Sequence, residues 1–195
     1  MIYYTSDLHL GHENVIRLCD RPFASVEEMD EFLIASWNKK VGKADTVYIV
    51  GDLVWQRCDP TPYLERLKGK KHLILGNHDK WVNTYDVAHF FKEITKFAEV
   101  SLDEHPITLC HYPMIEWKNS RKEGSSRLGY LVHGHTHANV HPEYRVLFEK
   151  ENALNAGVDV NGFAPVSFDE MAQNNKLFKM KALALLDRDA STGGK

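Results

Sequence analysis

Short apolar runs alternate with polar turn residues along much of the chain. Five runs rich in β-branched and aromatic residues span 2–5, 46–50, 72–75, 107–110 and 130–132, and Ser, Gly or His follows each at once. Runs of this length that end at turn residues are typical of buried strands. The pattern therefore predicts five core strands whose carboxyl ends all carry polar residues.

Helical patterns lie between these predicted strands. Two capping boxes, at 25–28 and 167–170, and the Asp59–Pro60 pair each predict a helix start. After the first box, apolar residues recur at helical spacing: Met29, Phe32, Leu33 and Trp37. The helix after the last box is predicted to end near Asn175. Further strands are predicted at 97–102, 144–148 and 177–186.

Strands that alternate with helices predict an α/β fold with parallel pairing, built on a mixed sheet or on two packed sheets. We find no internal repeat, linker or composition break, so a single domain is expected over 1–189, followed by a flexible, small-residue tail at 190–195. In such folds ligands bind at the carboxyl ends of parallel strands. The polar residues at those ends are therefore the candidates for function.

Composition narrows the class of protein. The 195 residues are 43% apolar and 26% charged, which is enough for one core and argues against disorder. No apolar run approaches the length of a membrane span, and no secretory signal follows Met1, so we expect no membrane partner. The net charge of -3 gives no reason to expect a general polyanion binder.

The cysteines argue against a disulfide or thiolate site, whereas the histidines indicate metal binding. Three widely spaced cysteines indicate reduced thiols in a cytoplasmic protein rather than disulfides or a cysteine zinc site: Cys19, Cys58 and Cys110. Eleven histidines, about twice the average usage, are the unusual feature. Their arrangement at the predicted strand ends indicates metal binding.

Two pairs of residues at positions i and i+2 offer metal ligands. Asp7 and His9 are two residues apart, as are His135 and His137. In an extended chain such residues point the same way, so each pair is expected to reach one ion. Asp52 follows Gly51 at a strand end and is expected to use its two oxygens on two different ions.

Asn77 and His111 bring the total to seven candidate ligands, namely two Asp, one Asn and four His. That number exceeds the needs of one tetrahedral zinc. It suits two ions of intermediate softness, with manganese first and iron, nickel, zinc or cobalt as alternatives. Paired metal ions are a known device for displacement at phosphorus.

These motifs, in their order and spacing, resemble those of the calcineurin-like metallophosphoesterase superfamily: Asp7-x-His9, Gly51-Asp52, Gly76-Asn77-His78-Asp79, His111 and Gly134-His135-x-His137. The range 156–167 also resembles a tail segment of small bacterial and phage-type members. The resemblance implies an αββα sandwich of two mixed sheets flanked by helices.

The resemblance also implies roles by position. The first metal would be held by Asp7, His9, Asp52 and His137, and the second by Asp52, Asn77, His111 and His135, with Asp52 bridging. His78 would not be a ligand but would act at the leaving oxygen, where an imidazole can donate a proton, and Asp79 would orient its ring. Trp55 departs from the family pattern, because many relatives carry Asp or Arg there.

The expected activity is hydrolysis of a phosphoester by in-line attack of a metal-bridging hydroxide. A small phosphodiester of nucleotide type, or an oligonucleotide end, is the first choice of substrate. The alternative is a phosphomonoesterase that acts on nucleotides or small metabolites. A non-catalytic scaffold on the same fold is disfavoured, because His78 and all seven ligand positions are present. The sequence does not predict the oligomeric state.

Each candidate substrate-contact residue has two possible roles. His12 is either a polar cap of a helix-opening loop or a contact at the pocket rim. Arg121 and Arg127 lie in a basic stretch at 115–128, which is either a solvated loop or a rim that steers an anionic substrate. Three aromatic residues either stack a nucleobase or pack around the pocket: Trp55, Tyr112 and Trp117. His133 is expected to pack or to support a ligand rather than to bind metal.

Overall fold

The computed structural model describes residues 1–102, 105–121 and 127–192. Within these ranges, eight strands form two four-stranded sheets. The first sheet contains β1 (Ile2–Thr5), β2 (Thr46–Ile49), β3 (Lys70–Ile74) and β4 (Phe91–Thr95). The second contains β5 (Phe97–Leu102), β6 (His105–Cys110), β7 (Tyr130–His133) and β8 (Ala153–Asn155). All five core strands predicted from the apolar runs are present, and so is the strand predicted at 97–102.

Strand order follows chain order in both sheets. In the first sheet β1, β2, β3 and β4 pair in parallel throughout, with Tyr4 opposite Tyr48 and Tyr48 opposite His72. In the second, β5 is antiparallel to β6, whereas β6, β7 and β8 are parallel. The α/β class with two sheets is confirmed, but only the second sheet is mixed. Parallel neighbours need crossover connections, and this arrangement brings the carboxyl ends of β1, β2 and β3 to one edge.

The two sheets face each other across a shared apolar core. One buried cluster combines residues of both sheets: Tyr4, Tyr48 and Ile74 from the first, and Ile107, Leu109, Val132 and Leu154 from the second. Alternate residues of the first sheet point the opposite way and form a cluster with a helix: Tyr3, Val47, Ile49 and Leu73 with Met29, Leu33 and Trp37. The sheets are therefore the two middle layers of the fold.

Helices flank the sheets. They are α1 (Glu13–Leu18), α2 (Val26–Lys40), α3 (Thr61–Leu64), α4 (Arg145–Glu149) and α5 (Phe168–Thr192). The first capping box is confirmed, because the Ser25 side chain accepts the backbone N–H of Glu28 at the start of α2. The helix predicted at Asp59–Pro60 forms only the single turn of α3. Short 3-10 helices occupy Asp79–Asn83, Ala88–Phe90 and Pro142–Tyr144.

Two strand predictions were wrong. The range 144–148 lies in α4 and the 3-10 turn before it, and 177–186 continues α5, which begins at the confirmed second capping box, where Glu170 N–H donates to Ser167 Oγ at 3.3 Å. The Lys, Leu, Met and Ala residues of 177–186 are strong helix formers. Apolar residues spaced four apart on α5 form a cluster with α4: Phe178, Ala182 and Leu186 with Phe148. This contact face has helical rather than strand periodicity.

The flexible tail expected at 190–195 is helical over the part of it that the structure describes. Residues 190–192 are helical and belong to α5, and 193–195 lie outside the described residues. Among the helices that the structure describes, none is both long and apolar enough to cross a bilayer.

Candidate metal centre

The carboxyl ends of five strands deliver the predicted ligands to one place. His9 Nε2 lies 4.0 Å from Asp7 Oδ1 and 3.6 Å from Asp52 Oδ2. His137 Nε2 lies 3.9 Å from the same Asp7 oxygen. One ligand atom each of Asp7, His9 and His137 falls within 4.8 Å of the others, so these three residues can share one ion.

A second group adjoins the first. His111 Nε2 lies 3.4 Å from Asp52 Oδ2 and 3.2 Å from Asn77 Oδ1. The ring of His135 lies 5.2 Å from that of His111, centroid to centroid. Six of the predicted ligands are thus linked by these atom-to-atom distances, and His135 lies beside them.

Asp52 joins the two groups through one oxygen. Its Oδ2 is the atom near both His9 and His111, whereas its Oδ1 accepts the backbone N–H of His78 at 2.8 Å. The expectation that Asp52 uses its two oxygens on two different ions stays a prediction, because an oxygen that accepts one hydrogen bond keeps a second lone pair. Oδ2 is the oxygen that lies between the two groups.

The backbone at the ligands is left-handed rather than extended. Five predicted ligands have positive φ: Asp7 (56°), His9 (53°), Asp52 (55°), His135 (70°) and His137 (48°). The prediction that extended backbone aligns the i and i+2 side chains was therefore wrong. Left-handed residues on both sides of buried Leu8 and Thr136 bring the flanking side chains together. Such backbone is unfavourable for most residues, although Asp and His tolerate it better than others, and it concentrates at functional sites.

The donor set fits divalent metal ions. Within the described residues, both ring nitrogens of His9 are buried without a hydrogen-bond partner. Buried polar groups normally have partners, so an orphaned imidazole among carboxylates indicates an external ligand. Asp7 and Asp52 are also buried, and the donors are nitrogen and oxygen without thiolate. These donors suit ions of intermediate softness.

The carboxylates and imidazoles of the cluster shift one another's pKa values. Burial opposes ionisation of Asp52, but the contact with His111 outweighs it and lowers the Asp52 pKa to about 2. Burial also opposes protonation of His111 and His137, yet their contacts with Asp52 and Asp159 raise these pKa values to about 9 and about 10. Burial raises the pKa of Asp7. Imidazoles that hold protons next to carboxylates must release them when a metal binds.

Asp79 has a different position from the one expected. Its carboxylate accepts the backbone N–H groups of Asp52, Leu53 and Gly76 at 2.8 to 3.0 Å. The Nδ1 atom of His78 is buried without a hydrogen-bond partner in the described structure. The prediction that Asp79 orients the His78 ring was therefore wrong. Both Asp79 oxygens are used to tie the end of β2 to the turn after β3.

His78 projects into a group of rings at the edge of the centre. Its ring centroid lies 5.2 Å from that of His9 and 4.8 Å from that of Trp55. The ring of His12 stacks face to face on Trp55, with centroids 3.7 Å apart and planes 2° from parallel. One nitrogen of His78 also lies within 4.8 Å of ligand atoms of His9 and Asp52. Trp55 therefore holds His12 beside the centre.

The other predicted substrate contacts lie apart from this group. Arg121 is exposed and pairs with Glu116. Arg127 is exposed, and 122–126 between the two arginines lie outside the described residues. Trp117 is buried and donates to the Gly129 carbonyl, so it packs rather than binds. Tyr112 is 48% exposed and contacts the rings of His111 and His135, which makes it the accessible aromatic side chain beside the second group.

His133 packs, as expected. It is buried, and its Nδ1 lies 3.0 Å from the Gly134 carbonyl oxygen. Burial lowers its pKa to about 4, which keeps the ring neutral.

Two residues that contact a predicted ligand escaped the sequence analysis. Asp159 Oδ2 lies 2.7 Å from His137 Nδ1, and Arg21 donates to both Asp159 oxygens. The available signal was a lone acidic residue between valines in the 156–167 segment. Nothing in the local pattern around Arg21 indicated its partner, because the two residues are 138 positions apart.

Known proteins resemble this chain over most of its length. A family model, the calcineurin-like phosphoesterase superfamily domain, matches residues 1–157. The uncharacterized protein MJ1445 of Methanocaldococcus jannaschii is 36% identical over 171 residues, which cover 86% of this chain and 87% of that protein. The Gene 66 protein of Mycobacterium phage L5 is 30% identical, with 70% of this chain and 77% of that protein covered. The crystal structure of AQ665 from Aquifex aeolicus, described as a protein of unknown function, matches with a TM-score of 0.66 at 27% identity, over 89% of this chain and 98% of that one.

Proposed function

Because the chain belongs to the calcineurin-like phosphoesterase superfamily, we propose that it hydrolyses phosphoesters with two divalent metal ions. The observation that carries the proposal is the position of Asp52 Oδ2, 3.6 Å from His9 Nε2 and 3.4 Å from His111 Nε2. A carboxylate that lies between two sets of nitrogen and oxygen donors would serve both ions of a pair. Manganese is our first choice, because the donors mix imidazole with hard oxygen and include no thiolate.

The ligand sets follow from the two groups. Asp7, His9, Asp52 and His137 would hold the first ion. Asp52, Asn77, His111 and His135 would hold the second. When bound, two such ions supply Lewis acidity toward phosphoryl oxygens and lower the pKa of a nearby water.

His78 is proposed as the proton donor to the leaving oxygen. Its backbone N–H is fixed on Asp52, and its ring stands between His9 and Trp55 with Nδ1 unpartnered among the described residues. Burial lowers the pKa of His78. An anionic phosphoester beside the ring acts in the opposite direction, because a negative charge favours the imidazolium. Substrate binding would thus load the ring with the proton that the leaving group needs.

The proposed substrate is a small phosphodiester of nucleotide type, or an oligonucleotide end, with phosphomonoesters as the alternative. Tyr112, half exposed beside His111 and His135, offers a face for a base. His12 is proposed as a phosphate contact at the rim, because its Nδ1 is buried without a partner in the described structure. Arg121 and Arg127 would act at longer range, through charge. The three cysteines are free, in keeping with a reducing, cytoplasmic location.

An ester hydrolysis assay tests this proposal. Metal-free protein is supplied with manganese, nickel, zinc or magnesium in turn, and its rate on bis-p-nitrophenyl phosphate is compared with its rate on p-nitrophenyl phosphate. We expect metal-dependent turnover that Asp52→Asn abolishes and that the exposed-site control His89→Ala keeps. The ratio of the two rates separates diesterase from monoesterase. Two bound ions without turnover on any ester would instead favour the scaffold interpretation.

Substrates with different leaving groups distinguish the proposed role of His78 from that of the proposed metal ligands. A p-nitrophenolate ion leaves with little protonation, whereas an alkoxide requires a proton. His78→Ala should therefore slow an alkyl phosphodiester by roughly 10²- to 10⁴-fold and affect the p-nitrophenyl ester much less. An equal loss on both substrates would remove the proton-donor role.

A further inference from the structure

We propose that Arg21 and Asp159 are a positioning pair that fixes the ring of His137 for the first metal ion. The inference rests on the proposed function only for the assignment of His137 as a ligand. Asp159 lies beyond the region 1–157 that the family model matches.

The contact between Asp159 and His137 selects one form of the ring. Asp159 Oδ2 lies 2.7 Å from His137 Nδ1, and the Asp159 side chain is only 3% exposed. A carboxylate at this distance keeps the Nδ1 proton on the ring. The other nitrogen, Nε2, is then the one that releases its proton when a metal binds, and it faces Asp7 Oδ1 at 3.9 Å. Metal-binding histidines are commonly oriented in this way by a carboxylate.

Arg21 ties Asp159 to the first ligand segment. Its guanidinium is fully buried and donates Nε to Asp159 Oδ1 at 2.8 Å and Nη2 to Oδ2 at 3.0 Å. The same group donates Nη2 to the Asp7 carbonyl at 2.7 Å and Nη1 to the Leu8 carbonyl at 2.9 Å. One side chain therefore couples the left-handed segment at Asp7 to Asp159, which contacts the ring of His137.

A metal ion at the pair itself is the competing interpretation. Ligand atoms of Cys19, His137 and Asp159 do lie within 4.8 Å of one another. Both Asp159 oxygens, however, already accept hydrogen bonds from Arg21. A buried guanidinium repels a cation at that distance. The arrangement therefore supports a ligand rather than forming a further metal site.

A purely structural pair is the second competing interpretation, and the two differ in a measurable way. A structural defect weakens both metal positions together. Loss of a positioning pair weakens only the position that contains His137, because Asn77, His111 and His135 make no hydrogen bond to Arg21 or Asp159 in the described structure.

The test is a titration of the metal-free protein with cobalt. Binding is monitored by calorimetry and by the visible absorption of the bound ion. Asp159→Asn keeps the size of the side chain, and Asp86→Asn on an exposed loop is the matched control. We expect two binding events in the wild type and in the control. In Asp159→Asn, one event should weaken by about 10- to 100-fold, while the other changes by less than about twofold. Equal weakening of both events, or no change in either, would overturn the proposal.

A measurement on the unmodified chain covers the case in which Asp159→Asn does not fold. Long-range ¹⁵N NMR of the metal-free protein reports which nitrogen of His137 carries the proton. The spectra are read above the His137 pKa of about 10, where the ring has lost one proton, and we expect the remaining proton on Nδ1. A neutral His137 protonated only on Nε2 would overturn the pair. Neither cobalt binding nor the NMR measurement depends on turnover. A protein that hydrolyses no ester would therefore still give a valid test of the positioning pair. A wild type that binds no cobalt would remove the proposed function and the pair together.

Discussion

Asp79 Oδ2 accepts the backbone N–H of Asp52 at 2.8 Å and that of Gly76 at the same distance. One carboxylate oxygen thus joins the segment that follows β2 to the segment that follows β3. Asp79 thus holds in register two proposed ligands, Asp52 and Asn77, without being one of the proposed ligands itself.

Asp79→Asn should therefore destabilise the metal-free protein. An amide offers one acceptor oxygen where three N–H groups converge, so at least one of the buried N–H groups of Asp52, Leu53 and Gly76 loses its partner. We expect a loss of about 2 kcal/mol in the free energy of unfolding by urea. The exposed Asp86→Asn should change it by less than about 0.5 kcal/mol. Equal stability of the two variants would show that the Asp79 carboxylate is dispensable.

His9→Asn should separate folding from metal binding. The His9 ring makes no hydrogen bond in the described structure, and Asn tolerates its left-handed backbone. The unfolding free energy of the metal-free protein should change by about 1 kcal/mol or less. The rise in Tm on addition of manganese should shrink strongly, because a ligand of the first ion is gone. His89→Asn at an exposed position should keep the full rise, and a full rise in His9→Asn would remove His9 from the ligand set.

Gly134→Ala tests how closely the backbone approaches the first ligand. A Cβ at this position would lie 1.9 Å from Ser6 Oγ and 2.6 Å from Asp7 Oδ2. The overlap must displace the Asp7 carboxylate or the strand end, at about 1–3 kcal/mol. We expect both lower stability and weaker metal binding, measured by thermal unfolding with and without manganese. Gly42→Ala, where the nearest atom would lie at 3.3 Å, should leave metal binding unchanged.

Lys179 should make stability rise at alkaline pH. Its Nζ is buried on α5 and donates to the carbonyls of Lys150 and Ala153, and burial lowers its pKa from 10.5 to about 8. Between these values the unfolded chain binds a proton that the folded chain has released, so stability from this residue increases as pH rises from 8 to 10.5. The full increase is roughly 3 kcal/mol.

Urea unfolding at pH 8, 9 and 10 checks this sign. The stability difference between wild type and Lys179→Met should move in favour of the wild type as pH rises. The exposed Lys176→Met should show no such trend. A difference that stays constant over this range would show that the Lys179 ammonium is not penalised by burial.

The residues that converge at the candidate centre could be predicted from sequence because the rules that place them are local. An apolar run ends at Gly51, a carboxylate follows, and parallel strands bring such ends together. The α/β class followed from the same alternation. The prediction that His78 is not a ligand rests on the family motifs alone, because a nitrogen of His78 also lies within 4.8 Å of ligand atoms of His9 and Asp52.

The errors have physical causes that lie outside a local pattern. The strand prediction at 177–186 followed from its dense apolar content, which obscures the helical spacing of the residues that pack on Phe148. The role of Asp79 was misjudged because its partners are backbone N–H groups, which every sequence offers. Arg21 and Asp159 meet across 138 residues, and their pairing depends on where both sheets finally lie.

The ligand set and its support extend from Asp7 to Asp159, and nearly all of the parallel pairing must form before these residues meet. Contacts of such long sequence separation make folding slow, because the chain loses entropy before it gains them. We therefore do not expect a metal ion to nucleate the folding of this chain, in contrast to small zinc domains. During synthesis, the proposed ligand set is complete only after the ribosome has released the segment that carries His137, so metal loading of the proposed centre would follow the synthesis of most of the chain.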